Sequence, residues 1–448
     1  MTAHLKLSRR QFLAGSASVA VASQVGWMNA LAAPLASGDY RAFVCVFLFG
    51  GNDSNNMIVP TDTAGYAAYQ AARGNSLTGG LSLAASSLTQ LNGINFGLHP
   101  SLAPLADIWN QGKLAIQFNV GTLTAPTTMA QYQLNPGVRP LNLFSHADQQ
   151  AQWQSAVSNQ PPQNGWGGRI ADLQGGISIP TVISVTGNNL FGNGASTTGL
   201  VVPDSGGFSI QGFGKSPSSN PIFSAYTQLL NAGSSNAEMA AAINVLQQGL
   251  NASSKLNPVL TGTSSVSSLF AGQNNTLARQ LQQVAKMIES RNAIGAGRQI
   301  FFVSLGGFDT HNDQLNRQKA LFDQVGPALK AFYDATVQLG VANNVTTFTQ
   351  SDFTRTLQPA SGGGSDHAWG GHHFVFGGAV KGGTYGAFPR LILGGPDDVT
   401  SEGRWLPTTS VDQMGATLAS WYGVAAGDLG KVFPSLSAFP SSNMGYFG

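Results

Sequence analysis

Charge is the first thing this chain has little of: Asp, Glu, Lys and Arg together make up 9% of its 448 residues, against roughly 25% in an ordinary soluble domain. Hydrophobic content is ordinary at 42%, so the deficit is filled by Gly, Ser, Thr, Asn and Gln, and the expected surface is polar but uncharged. A net charge of +2 with no basic run argues against a nucleic-acid partner, which needs clustered cations to displace counterions. A single cysteine excludes an intramolecular disulfide; Cys45, inside FVCVFLF, reads as a small apolar core side chain. Beyond the N-terminal segment no apolar run approaches the roughly 18 residues of a spanning helix, and no internal repeat is evident.

The N-terminus, by contrast, is strongly patterned. It opens with a basic stretch, continues through a moderately apolar one and reaches an Ala30-Leu31-Ala32 cleavage pattern. Within it, Ser8-Arg9-Arg10-Gln11-Phe12-Leu13 matches a twin-arginine export signal. The expectation is a signal peptide over 1–32, recognition by the twin-arginine translocation machinery, and a periplasmic or secreted mature chain, 33–448, without a membrane span.

The mature chain reads as an α/β domain. Strand-like apolar runs at Ala42–Phe49, Leu114–Val120, Pro180–Gly187, Gln299–Leu305 and Val345–Gln350 each end in a Gly-rich or acidic turn. Helical periodicity follows at Thr276–Arg291 and at Asp313–Leu339, where Pro327 is expected to kink or divide the helix. HFVFGGAV from His373 is a further strand-like run. RLILGG and a helix near Val411–Tyr422 complete the pattern. Between about 188 and 275 the composition shifts to Gly, Ser, Asn and Gln, with helix-like stretches near Ile222–Leu230 and Glu238–Leu250, which reads as an insertion or cap. Alternating strands and helices predict a mostly parallel central sheet with helices on both faces, whose carboxyl-terminal loops share one crevice.

The residues that carry chemistry concentrate there. Four of the seven histidines, His311, His367, His372 and His373, lie between Phe301 and Phe374, each near an aspartate. Imidazole nitrogen with carboxylate oxygen suits a divalent transition metal. Asp309 and His311 follow one strand, Asp352 follows another, and Asp53 sits in the Gly50–Asn56 turn after the first. His372 and His373 alternate across a strand, so one of the two faces inward, and Asp366 is placed to orient His367. In FSHADQQ, Ser145 reads either as a helix N-cap or as a nucleophile, and His146 as ligand, base or first helical residue.

Together GGND at Gly50–Asp53, FSHADQQ at Phe144–Gln150, GGFDTH at Gly306–His311, SDFTRT at Ser351–Thr356 and DHAWGGHHF at Asp366–Phe374 resemble the secreted bacterial proteins of the domain of unknown function 1501 family, a branch of the alkaline phosphatase and sulfatase superfamily. The resemblance covers most of the mature chain. It implies an alkaline-phosphatase-like α/β sandwich and a site for one or two divalent ions, Zn or Mn before Mg or Ca. Its ligands would be Asp53, Asp309, His311, Asp352, His367 and His372 or His373, with a Ser or Thr nucleophile beside them. Phe353 stands where the phosphatases carry histidine, and Cys45 lacks the context of a sulfatase nucleophile, so neither mechanism carries over whole.

These readings converge on an exported metal-dependent hydrolase of a small anionic ester, phosphate or related. The metal would activate water or Ser145, and Arg355 or Arg169 would pair with the substrate anion. Arg355 equally suits a structural partner of Asp352. The competing expectation is a non-catalytic envelope or polysaccharide-binding protein with a structural or vestigial metal.

Overall fold

The computed structural model describes residues 40–448 other than 75–78, 175–179, 209–220 and 234. The export signal and its cleavage pattern lie outside the described residues. Among the described residues no helix is long and apolar enough to cross a membrane.

Twelve strands are described in chain order: β1 (Arg41–Phe49), β2 (Ile58–Pro60), β3 (Thr89–Gln90), β4 (Phe96–Leu98), β5 (Leu114–Gly121), β6 (Val182–Ser184), β7 (Leu200–Val201), β8 (Arg298–Gly306), β9 (Val345–Ser351), β10 (Gly371–Phe376), β11 (Gly383–Tyr385) and β12 (Thr409–Ser410). Nine of them form one sheet in the order β11-β5-β10-β9-β1-β8-β6-β7, with β12 also on β5. β1 runs parallel to both β8 and β9, β6 to β8, and β11 and β12 to β5. Only β10 opposes its neighbours, β5 and β9. A small antiparallel sheet, β2-β4-β3, has no counterpart in the sequence reading, because strands of two or three residues leave no periodicity to detect.

The two faces of the sheet are visible in β1 itself. Ala42, Val44, Val46 and Leu48 point into one core, while Phe43, Cys45 and Phe47 point into the other. This is the period-two alternation of a strand buried on both sides. The first core is closed by the helix Thr276–Glu289 through Leu277, Leu281, Val284 and Ile288, and by the helix Gln314–Gln338 through Phe322, Val325, Leu329 and Phe332. The second is closed by the helices His146–Ser155, Trp166–Asp172 and Val411–Tyr422, with Trp153, Trp166 and Tyr422 at its centre.

Three features refine the sequence reading. Pro327 does not divide its helix, which runs unbroken from Gln314 to Gln338. The proline removes one backbone hydrogen bond, but Val325, Ala328 and Leu329 on either side of it are buried, and that packing outweighs the local defect. The segment read as an insertion is not wholly peripheral: its second helix, Ala237–Thr261, buries Ala252, Leu256 and Leu260. RLILGG forms no regular element; Leu391 and Leu393 pack against a small cluster around Trp405.

Register places the loops. Phe49 pairs with Gly306 and Leu48 with Ser351, so β1, β8 and β9 end at one level and release Gly50, Gly307 and Asp352 into one crevice. Gly50 has φ +113°, and a Cβ there would lie 2.4 Å from the Asp309 backbone nitrogen. No other residue fits this approach. Gly50→Ala is therefore expected to lower the unfolding free energy by about 3 kcal/mol or more, through left-handed strain plus contact. Urea unfolding measures it, and a loss under about 1 kcal/mol would show that the turn yields.

Candidate metal centre

Four side chains meet above the ends of β1, β8 and β9. The Oδ1 of Asp309 lies 3.0 Å from His311 Nε2, 3.4 Å from His146 Nε2 and 3.5 Å from His367 Nε2. His311 and His367 approach each other Nε2 to Nε2 at 3.0 Å. One donor atom from each of His146, Asp309 and His367 forms a set mutually within 4.8 Å.

The other ring nitrogen of each histidine explains the orientation. His146 Nδ1 is 2.7 Å from the Asp352 carboxylate, His311 Nδ1 is 3.2 Å from Asp366, and His367 Nδ1 is 2.8 Å from the Phe144 carbonyl. The partners of His146 and His367 only accept, so the Nδ1 of these two rings carries a proton and their Nε2 atoms turn toward Asp309; His311 Nε2 lies within hydrogen-bond distance of both Asp309 and His367 Nε2. His146 Nε2 is buried without a hydrogen-bond partner. The 3.0 Å approach of the His311 and His367 Nε2 atoms needs a proton or a cation between them. Imidazoles fixed through their far nitrogen by carboxylates or carbonyls are the usual arrangement around a bound metal. The donor set, three imidazoles and a carboxylate, suits zinc or another borderline transition ion better than magnesium or calcium.

Each side chain of the cluster is placed by a local feature. His146 opens its helix, and Gln150, one turn on, also donates to Asp352 Oδ2, at 2.7 Å. Gly50 N–H donates to Asp352 Oδ1 at 3.1 Å, so the fully buried Asp352 spends both oxygens on positioning. Phe144 holds φ +76°, which aims its carbonyl at His367. The Phe353 ring stacks on His367 at 4.7 Å and lies 4.8 Å from His146: where histidine was expected by resemblance, an apolar plate supports the imidazoles. The site is open, with His311 and Asp309 nearly half exposed.

Charge follows this arrangement. Burial would raise the Asp309 carboxyl, but Arg355 and then His311, His146 and His367 outweigh it and hold the group below its usual range. The hydrogen bond to Asp352 raises His146 against partial burial. Burial lowers His367, and the neighbouring cationic groups add to this against the Phe144 hydrogen bond.

Several expected site residues stand elsewhere. Asp53 caps Asn55 N–H and forms a fully buried pair with Arg73, while Gln314 also donates to it; its oxygens are engaged away from the histidines. Asp352 is adjacent, but as the acceptor that orients His146. Asp366 partners His311 rather than His367. His372 accepts from Asn119 N–H and packs between Phe118 and Phe388, and His373 packs on Trp153 across the sheet; neither belongs to the cluster. The Ser145 hydroxyl donates to Asp148 at 2.7 Å. Arg355 is fully buried and donates to Asp309, Gly50 O and Ser365 O rather than to Asp352. Arg169 is spent on the Ser155, Asn164 and Val432 carbonyls. Missed by sequence reasoning were Gln150, whose i, i+4 spacing from His146 was the available signal, and the Phe144 carbonyl, which had none.

The family model described as "protein of unknown function (DUF1501)" matches residues 40–418, and the chain belongs to that family. No curated protein matches it. Solved structures similar to it include a protein in the alkaline phosphatase superfamily from Vibrio parahaemolyticus, with 12% identity and TM-score 0.33 over 87% of this chain and 68% of that one. Another is the PsFucS1 sulfatase from Pseudoalteromonas sp., with 11% identity and TM-score 0.34 over 92% and 72%. A third is the soluble domain of lipooligosaccharide phosphoethanolamine transferase A from Neisseria meningitidis, with 8% identity and TM-score 0.32 over 86% and 89%.

Two outcomes follow from these placements. Asp53→Ala should cost about 3–5 kcal/mol by stranding buried Arg73, and adding Arg73→Met should recover part of that loss; divalent-ion affinity of the folded protein should be unchanged throughout, and a fall in affinity for the double variant would return Asp53 to the ligand set. Burial lowers His372 and His373 to about 3 and His99 to about 4. Each is neutral when folded and gains a proton on unfolding below about pH 6.5, so stability from all three is intact above that pH and declines as pH falls. Buried Asp412, raised to about 7, acts oppositely, as one group against three. The urea midpoint should drop from pH 6.5 to 5; a flat profile would contradict the burial of these imidazoles.

Proposed function

We propose that this chain is an exported, metal-dependent hydrolase of small anionic esters, phosphate or sulfate. The observation that supports it is the convergence of three oriented Nε2 atoms and one carboxylate oxygen in a crevice open to solvent. One donor atom from each of His146, Asp309 and His367 lies mutually within 4.8 Å, and three protein ligands leave a fourth tetrahedral position for water or substrate, as in catalytic rather than structural zinc sites. A divalent cation held there would polarise a phosphoryl or sulfuryl oxygen and lower the pKa of a water.

The protein's own contribution is positional. Asp309, His146 and His367 would hold the cation, with His311 beside them 3.0 Å from Asp309, and Asp352, Asp366 and Phe144 O would keep the rings aimed. Phe353 excludes water from one side of His146 and His367. Because the Ser145 hydroxyl is engaged by Asp148, water rather than serine is the nucleophile this reading favours. Export rests on the Ser8–Leu13 pattern and the cleavage site after it, and places the reaction in the periplasm or outside the cell.

A non-catalytic envelope or polysaccharide-binding role is the second reading. What favours it is that Arg355 and Arg169 are both occupied within the fold, leaving neither to grip an anion, on a surface poor in charge.

Metal-loaded protein assayed against nitrophenyl phosphate, bis-nitrophenyl phosphate and nitrophenyl sulfate separates the two. Hydrolysis that falls about 100-fold or more in Asp309→Ala, with the urea midpoint of the metal-free protein retained, supports catalysis. No turnover with any ester, together with unfolding on metal removal, would sink the hydrolase and favour the binding role.

A further inference from the structure

Asp309 Oδ1 has a fourth neighbour besides the three imidazoles: the Arg355 guanidinium, whose Nη1 lies 3.1 Å away. Arg355 is completely buried, with further hydrogen bonds to the carbonyls of Gly50 and Ser365. It cannot swing toward a ligand in the crevice. Its charge is a permanent part of the site.

The remaining donors nearby are already committed. Asp352 receives His146, Gln150 and the Gly50 N–H. Asp53 receives Arg73, Gln314 and the Asn55 N–H. Asp366 faces His311, and His372 and His373 are enclosed among aromatic rings. Among the described residues only one group of side chains meets the spacing of a metal site. We propose that the centre takes one divalent transition-metal ion, not two, and that the second positive charge on Asp309 comes from the chain itself, from Arg355. This rests on the metal-binding part of the reading above and deepens it.

The consequence is a signed one. A guanidinium sharing the ligand oxygen repels the incoming dication across a short, partly buried distance, so Arg355 lowers the affinity it would otherwise be thought to support. A merely structural arginine would do the reverse, because its loss would loosen Asp309.

Metal-depleted full-length protein titrated calorimetrically with zinc chloride and then manganese chloride, with metal content measured after gel filtration, should bind one ion per chain. Arg355→Gln keeps an N–H donor but removes the charge; in its folded form zinc should bind about tenfold more tightly, still one per chain. Arg355→Lys should stay near the parent affinity. Two ions bound by the parent chain would overturn the inference, and so would weaker binding by folded Arg355→Gln. If that variant does not fold, the parent stoichiometry still decides between one ion and two. Binding of no ion would overturn this inference and the metal reading together, whereas one ion, the tighter Arg355→Gln and no ester hydrolysis would uphold it and sink the hydrolase alone.

Discussion

The arrangement depends on where three imidazole protons sit. His146 and His367 each give the Nδ1 proton to an acceptor that has none to return, the Asp352 carboxylate and the Phe144 carbonyl, and His311 lies between Asp366, Asp309 and the His367 ring. The three Nε2 atoms then crowd around Asp309 Oδ1. A folded chain that gathers acceptors in this way, and leaves one of them buried and unpartnered, has done so against its own electrostatics. Arg355 relieves part of the crowding from below. A cation in the crevice would relieve the rest.

Holding that cluster requires rigid parts beneath it. The register of β1 with β8 and β9 brings Gly50, Gly306 and Ser351 to one level. Gly50 then allows backbone to touch backbone beside Asp309. The buried Asp53–Arg73 pair does not touch the histidines, but ties the turn after β1 to the segment after β9 through the Thr356 and Leu357 carbonyls. Its role is to keep the crevice in shape. Buried pairs of this kind contribute little net stability when intact and a large loss when halved.

The division of labour among carboxylates is the part of the chemistry that matters most. Asp309 is nearly half exposed and faces the imidazoles, whereas Asp352 and Asp53 are fully buried and saturated with donors. Each follows a strand in the sequence, and nothing in the residue type separates them. The difference is made by neighbours distant in the chain: Gln150 and His146 claim Asp352, and Arg73 and Gln314 claim Asp53. The same holds for His372 and His373, whose strand carries them between aromatic side chains from elsewhere.

Read alone, the amino-acid order determined the mostly parallel α/β architecture, because apolar runs ending in Gly-rich turns and amphipathic helices are local signals. It also located the loops after β1, β8 and β9 and placed Asp309, His311 and His367 among the candidates for one crevice. Which candidates converge was decided by tertiary structure. Ligand geometry is set by the atom on the far side of each ring and each carboxylate, and those atoms come from residues up to a few hundred positions away: Phe144 for His367, Asp352 for His146, Arg73 for Asp53, Arg355 for Asp309. Hydrogen-bond partners of that separation leave no trace in spacing or composition.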